Sequence, residues 1–375
     1  MKLPLGVIVF ASGRDAERLV AGVPAAARSV REARRAGLSV CWVTAGAGWE
    51  PSAATRAEID RLADGMDVHF GNGSALAVEG GFDRVAMIPG DRQPTADAIL
   101  RAIAEPGGIT QADLVQVVPQ EEANQVAGRM TAQGAESPRR LGAAARAVVR
   151  STAKPTDGIV SRHLNRPISQ AISALLLHFP GIRPVHATIG TGLIAAAMFA
   201  SLLFWGAAGL VVGAILFQAA SIFDGVDGEI SRATFRSSPA GAKMDSLVDA
   251  ATNLAFLLGV AINLQMRGEV VYATFGYAGL VLLASGLVMI GRAAARSQAP
   301  FSFDVVKDHY RRQGANGEPS RLMQGLTYLT SRDFFALAFA LLIAFGLAPL
   351  VLALFAVAAG GWLVAVILAL RPTQA

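Results

Sequence analysis

From about residue 185 onward the chain passes through one apolar run after another, each close to the ~20 residues that a helix needs to cross the hydrocarbon of a bilayer. Backbone placed in lipid has no water to bond. Such runs are therefore restricted to helices that satisfy their own N–H and C=O groups. Six are expected to span, at roughly 186–206, 208–230, 240–263, 270–291, 332–347 and 349–370, the fifth being short. Apolar residues make up 53% of the chain and charged residues only 16%, and the charges are spread mainly along the part before about residue 165. Two domains in different solvents are expected, an α/β domain in water and an all-α domain in the membrane.

The stretch Ile159 to Phe179 sets Arg162, His163 and Arg166 among apolar residues and is expected to lie along the membrane surface. Basic residues flank one side of the spans: Arg292, Arg296, Lys307, Arg311, Arg312 and Arg321 in the 292–331 loop, and Arg371 after the last span. The opposite loops hold only Arg267 and Glu269. By the positive-inside rule both termini, with the end of the second span and the start of the third, are expected on the cytoplasmic side of the inner or plasma membrane. The net charge of +5 is modest, and its clustering beside apolar segments fits anionic headgroups or phosphorylated substrates; no nucleic-acid motif is present. A lone cysteine, Cys41, permits no internal disulfide and reads as a core residue. The apolar stretch Leu3 to Ala11 is short and runs into Ser12-Gly-Arg-Asp-Ala-Glu-Arg18, a pattern that fits a first buried strand better than a signal peptide.

Four short apolar runs, Gly6 to Ala11, Leu38 to Thr44, Arg84 to Ile88 and Leu114 to Val118, alternate with amphipathic stretches at 23–36, 53–64, 94–104 and 120–132. That alternation predicts a parallel sheet with Rossmann-type layering over residues 1–135. The segment Gly6-Val-Ile-Val-Phe-Ala-Ser-Gly-Arg-Asp-Ala-Glu-Arg-Leu19, with Gly37 to Thr44 and Ile88-Pro-Gly-Asp91, resembles the start of the sugar-phosphate nucleotidyltransferases. In that family Asp91 would match the strand-end aspartate that holds a metal. The loop here keeps only Gly13, however, and the family's lysine near Gly22-Val-Pro24 is missing. A degenerate, regulatory or scaffolding domain is expected. Residues 136–158, with Arg139, Arg140, Arg146 and Arg150 among alanines, read as a basic linker, and 159–375 as the membrane domain.

The second and third spans carry four aspartates where charge is expensive and usually functional. Asp224 and Asp227 are spaced i, i+3 and Asp245 and Asp249 i, i+4, so each pair lies on one helix face. A polar stretch, Thr234 to Pro239, lets the helices run antiparallel and the four carboxylates converge. Carboxylates brought together in low dielectric need cations, and hard oxygen ligands suit Mg²⁺ most, with Mn²⁺ or Ca²⁺ possible. Two divalent ions could bind a pyrophosphate there. Gly228 and Gly241 leave room for a nucleotide close to the backbone, and Arg232 is placed to contact a phosphate. Arg292, Arg296 and Arg332 are candidates for the phosphate of an acceptor.

The spacing resembles the signature D-x2-D-G-x2-A-R-x8-G-x3-D-x3-D of the CDP-alcohol phosphotransferases, with every fixed position matched except that Ser231 stands for alanine. The resemblance implies transfer of a phosphoalcohol group from a CDP-alcohol donor to an acceptor hydroxyl, with release of CMP. It further implies that Asp224, Asp227, Asp245 and Asp249 hold two metals, and that Asp249 is the general base. Asp227, Gly228, Arg232 and Gly241 would contact the CDP moiety, and a homodimer would be usual. The front half, together with Ser161-Arg-His-Leu-Asn-Arg-Pro-Ile-Ser169, resembles the branch of bifunctional inositol-phosphate cytidylyltransferase / di-myo-inositol-phosphate phosphate synthases. A phospholipid synthase using CDP-diacylglycerol, with a non-catalytic front domain, remains the alternative, and an ion-coupled transporter is a more distant one.

Overall fold

A computed structural model describes residues 3–46, 48–71, 82–104, 115–154, 157–297 and 332–370. The chain divides into two compact units. The first comprises Met1–Thr152, Ile172–Ile182 and Glu229–Arg236, and the second Ala153–Ala171, Arg183–Gly228 and Ser237–Ala375.

The first unit is built on β1 (Leu5–Val9), whose five residues are all buried. Strands bury both faces only when helices cover both, which is why the run is apolar without alternation. Leu5, Val7 and Val9 join Val85, Met87, Ala123 and Val126 on one face, while Ile8 and Phe10 join Val30, Ile59 and Ile99 on the other. The short β2 (Leu19–Val20) and β3 (Val23–Pro24) pair as a hairpin turning on Ala21 and Gly22, both with positive φ. α1 (Gly13–Glu17) precedes this hairpin, and after it come α2 (Ala25–Arg35), β4 (Val40–Thr44), α3 (Ala53–Ala63), β5 (Asp67–Gly71), β6 (Arg84–Pro89), α4 (Ala96–Ala104), β7 (Gln116–Pro119) and α5 (Ala123–Ala132). The main sheet has the order β5-β4-β1-β6-β7. All its pairings are parallel except β6 with β7. The expected parallel sheet is thus present, with an antiparallel edge. β5 escapes a search for continuous apolar runs because Asp67 and His69 alternate with Val68 and Phe70, as suits an edge strand.

At the carboxyl ends of the strands, where α/β sheets commonly hold ligands, this unit is filled by its own residues. Trp49 lies against Gly13, where an added Cβ would sit 2.4 Å from its ring, and Gly134 packs on Ala11. Asp91 is buried and accepts from Arg140 Nη1 at 2.8 Å and Ser137 Oγ at 3.1 Å. Both partners belong to α6 (Ser137–Ser151), a helix within the stretch read from sequence as a linker. Its Leu141 is buried in the core of the first unit. The position resembling a metal-holding aspartate is therefore occupied by an ion pair.

Arg28, on α2, is buried and donates to the carbonyls of Val20 at 3.0 Å and of Ala233. Burial lowers its guanidinium to about 10, partly offset by Glu32, so it stays charged at neutral pH. Phe235, at φ +56°, lies under both Arg28 and Arg31. Removing one partner of a buried charged hydrogen-bond set leaves the others unmatched, at roughly 3 kcal/mol. Arg28→Ala is expected to lower the thermal midpoint of the detergent-solubilised chain clearly, and Arg28→Lys to recover only part of it. Cys41 is fully buried in the same core, and burial pushes its thiol up to about 12. Maleimide labelling near neutral pH should therefore be negligible in the native chain and complete in denaturant.

The second unit is helical. Among the described residues, five helices are long and apolar enough to cross a membrane: α8 (Pro184–Phe204), α9 (Gly206–Thr234), α10 (Pro239–Met266), α11 (Val270–Ser297), in which Val270–Ile290 is the apolar part, and α13 (Ala348–Ala369). The helix between the last two, α12 (Arg332–Ala344), has 13 residues and is too short to cross alone. Ahead of these, residues 159–176 are helical throughout, with a π-helical segment, Ser161–Asn165, running into α7 (Arg166–Leu176). Small residues let the long helices approach. On α11, Gly276, Gly279 and Gly286 receive Leu352, Phe355 and Trp362 of α13, and Gly190 of α8 receives Phe223 of α9. Inside the bundle Phe217 stacks on Phe256 at 3.9 Å, and the Asn263 amide donates to the carbonyls of Leu202 and Gly206 at 2.7 and 2.8 Å. Leu193, Ile215, Val281 and Val357 stay exposed, as side chains that meet lipid do.

Candidate active site

The chain reverses between α9 and α10 through a short turn, and Ser238 caps α10 by accepting from the Gly241 amide at 3.0 Å. Pro239 follows in the first turn, where its missing N–H matters least. Gly241 is exposed, and Gly228 is half-buried on α9.

The reversal brings the two acidic faces together. Asp227 is buried, and its carboxyl forms a hydrogen bond with that of Asp245. Asp224 and Asp249 both lie close enough to act on Asp245 through their charge. Thr188 of α8 donates to Asp227 Oδ2 at 2.9 Å, and Asn253 to Asp249 Oδ1 at 3.1 Å. Two carboxyls in contact must share a proton or a cation. Among the described residues, no three His, Cys, Asp or Glu side chains are gathered at metal-ligand spacing. The contact seen is pairwise, with the other two carboxylates flanking it. Four hard oxygen donors around a pair that needs positive charge are a donor set that fits divalent cations.

Arg232 is half-buried near the end of α9, and its Nε donates to the Thr152 carbonyl at 2.9 Å. Of the three candidates for an acceptor phosphate, Arg292 is exposed on α11. The side chains of Arg296 and Arg332 lie outside the described residues; Arg332 opens α12.

Beside Asp224 the second unit has a cleft of about 220 Å³. Its wall and floor include Asp157, Asn165, Arg166, Ser169, Ser221 and Asp333. Arg166 and Asp157 form a two-point ion pair, Nε to Oδ2 at 2.7 Å and Nη2 to Oδ1 at 3.0 Å. Burial alone would raise the Asp157 carboxyl, but the Arg166 hydrogen bonds and the Lys154 amide outweigh it and hold the group below the usual carboxylate range. Gly225 lets α7 come this close to α9, since a Cβ there would lie 3.0 Å from Arg166 Nη1. Reasoning from sequence singled out neither this cleft nor Thr188 as part of the site. The available signal was the segment Ser161 to Ser169, which supplies Ser161, Asn165, Arg166 and Ser169 to the cleft.

Comparison with known proteins points to the same region. The family model described as CDP-alcohol phosphatidyltransferase matches residues 183–369. A protein of Thermococcus kodakarensis named bifunctional IPC transferase and DIPP synthase is 34% identical over 178 residues, which cover 46% of this chain and 38% of that protein. A protein of the same name from Aquifex aeolicus is 33% identical over 149 residues, covering 40% and 32%, and one from Archaeoglobus fulgidus is 33% identical over 133 residues, covering 35% and 26%. The matched stretch thus spans well under half the length of each of these relatives. The helices that bring Asp227 against Asp245 are those the family model covers, and residues 183–369 carry a CDP-alcohol phosphatidyltransferase family domain.

Proposed function

We propose that this chain is an integral membrane transferase that moves a phosphoalcohol group from a CDP-alcohol to an acceptor hydroxyl and releases CMP. The observation that carries the proposal is the contact of Asp227 with Asp245 across α9 and α10, inside the family domain and with the signature spacing intact. Asp224, Asp227, Asp245 and Asp249 would hold two divalent cations, Mg²⁺ before Mn²⁺ or Ca²⁺. Such ions, when bound, stabilise negative charge on a pyrophosphate and on the departing nucleotide.

The chain's own groups divide the remaining work. Thr188 fixes the carboxyl of Asp227 by donating to Oδ2, and so presents the pair in one rotamer. Asp249, oriented by the Asn253 amide, accepts the proton of the attacking hydroxyl as general base. Asp227, Gly228, Arg232 and Gly241 contact the CDP moiety of the donor, the glycines by leaving the backbone open to close approach. Arg292, Arg296 and Arg332 are proposed for a phosphate on the acceptor. The 13-residue α12 is proposed as the short fifth span. Loop charge supports cytoplasmic termini and a cytoplasmic active site, and the family resemblance supports a homodimer.

The printed name of the relatives joins two activities, and here the transfer reaction is the one the residues favour. Filling of the front crevice by Trp49, with Asp91 held by Arg140, supports a non-catalytic front domain. It therefore keeps open a synthase that takes CDP-diacylglycerol as donor. Supplying CDP-inositol or CDP-diacylglycerol with inositol, inositol phosphate or glycerol phosphate, and following products by mass spectrometry, separates the two donors.

Loss of a positioned general base typically slows reaction by about 10²–10⁴-fold. Asp249→Asn is expected to reduce CMP release by that factor while keeping its thermal midpoint. Chelation should abolish release by the unmodified chain, and added Mg²⁺ should restore it. Undiminished CMP formation by folded Asp249→Asn, or full activity in excess chelator, would remove the basis for this mechanism.

A further inference from the structure

The last turns of α9 are enclosed by the front unit. Glu229, Ile230, Ala233 and Thr234 are buried, and the segment Glu229–Arg236 clusters with the α/β unit, apart from the rest of its own helix. A helix ends in carbonyls that have no partner within it and in a partial negative charge. Here the closing hydrogen bonds come from the following turn and from two arginines of the front unit. The Arg236 amide donates back to the Ser231 carbonyl at 3.0 Å. Arg28 of α2 donates to the Ala233 carbonyl, and Arg61 of α3 to the carbonyls of Thr234 at 3.0 Å and Phe235 at 3.2 Å. Glu58, on the same face of α3, pairs with Arg61 at 2.6 Å and with the Arg236 guanidinium.

Two features exceed what closing a helix demands. Phe235 stands in the left-handed position after the helix, at φ +56°, where glycine is usual and a bulky side chain is strained. Its ring receives Arg31 at 3.6 Å and Arg28 at 4.7 Å, so the strained turn is fixed by the front unit. Arg28 is buried, although a guanidinium out of water is costly. An apolar side chain would fill the same space on α2 but leave the Ala233 carbonyl bare. Between Asp227 and this anchor α9 is uninterrupted, and the six residues from Asp227 to Ala233 rise about 9 Å. Arg232 lies within the anchored turns, and its Nε donates to the carbonyl of Thr152, which closes α6 of the same unit. The front unit thus fixes both the backbone that carries Arg232 and one nitrogen of its guanidinium.

We propose that Arg28, Arg31, Arg61 and Glu58 of the front unit are positioning residues for the transfer reaction: by closing the end of α9 around Phe235 they hold Arg232 where it meets the donor. The proposal rests on the transferase reading for what Arg232 binds, and on the anchored turn alone for how Arg232 is held. It gives the α/β unit a part in the reaction that requires neither a nucleotide site nor a metal at Asp91.

Two measurements on the full-length chain in detergent test it, using Arg61→Ala, Glu58→Gln and Phe235→Gly. None of the three residues is fully buried, and glycine adopts the left-handed turn without strain. Arg34→Ala, whose described ion-pair partner is Asp64 of the same unit, serves as the control. The first measurement is amide hydrogen exchange read by mass spectrometry. Exchange over 229–241 is expected to rise about tenfold in the three variants, with 193–217 unchanged. Unchanged exchange over 229–241 overturns the anchor. The second is CMP release at varied donor and acceptor concentrations, with whichever of CDP-inositol and CDP-diacylglycerol supports release. A donor KM raised about tenfold with an unaltered acceptor KM is expected. Combining Arg61→Ala with Arg232→Lys should cost little beyond Arg232→Lys alone, because the two act on the donor as one unit. An unmoved donor KM, an equal loss in Arg34→Ala, or losses that multiply in the double variant each overturn the positioning role. Should the unmodified chain release no CMP from either donor, the transferase reading falls and the positioning role with it, while exchange still decides the anchor.

Discussion

Two carboxyl groups meeting inside a bundle of apolar helices is the constraint on which the helical unit turns. Asp227 and Asp245 come from different helices, and their contact places like charges where solvent screens poorly. Such an arrangement persists only if the surrounding packing over-determines it. The packing here does so with small residues. Gly190 lets α8 lie against Phe223, which brings Thr188 within 2.9 Å of the Asp227 carboxyl. Stacking of Phe217 on Phe256 and the bonds from Asn263 lock α8, α9 and α10 below the site. The position of the acids is set by rigid elements and not by loops, as pre-organised chemistry requires.

The same economy of small residues shapes the cleft. Gly225, next in sequence to Asp224, opens the space into which Arg166 and Ser169 fit. The Arg166–Asp157 pair then neutralises the cleft's one described cation, leaving hydrogen-bonding groups of both kinds around it. In the first unit the opposite has happened at the comparable place. Where a strand-end crevice would admit a ligand, Trp49 and Gly134 fill the loop and Arg140 satisfies Asp91. One unit keeps its polar groups loosely bonded and approachable; the other has bonded them into its core.

Periodicity alone made much of this legible. Spanning helices follow from apolar runs, and the buried strands β1, β4 and β6 follow from continuous apolar stretches. The pairing of each aspartate with its helix-face partner follows from i, i+3 and i, i+4 spacing, because neighbours on a helix are fixed by its geometry. β5 was not legible, since an edge strand alternates and resembles a polar loop. Neither was α6, whose arginines suggest solvent although its Leu141 enters the core. A 13-residue helix stands where a short span was expected at 332–347, because apolar composition sets an upper bound on helix length and does not say where the helix stops.

By itself the sequence determined which residue types lie together along one helix, and hence the acidic faces and the reaction class they match. Tertiary structure alone decided which faces meet. Asp227 finds Asp245, Thr188 finds Asp227, and Asn165 finds Asp333 across 168 positions of sequence. Local spacing is dictated by backbone geometry, whereas these contacts depend on how helices cross, and crossing is settled by glycines and large side chains that fit one another only in the folded bundle.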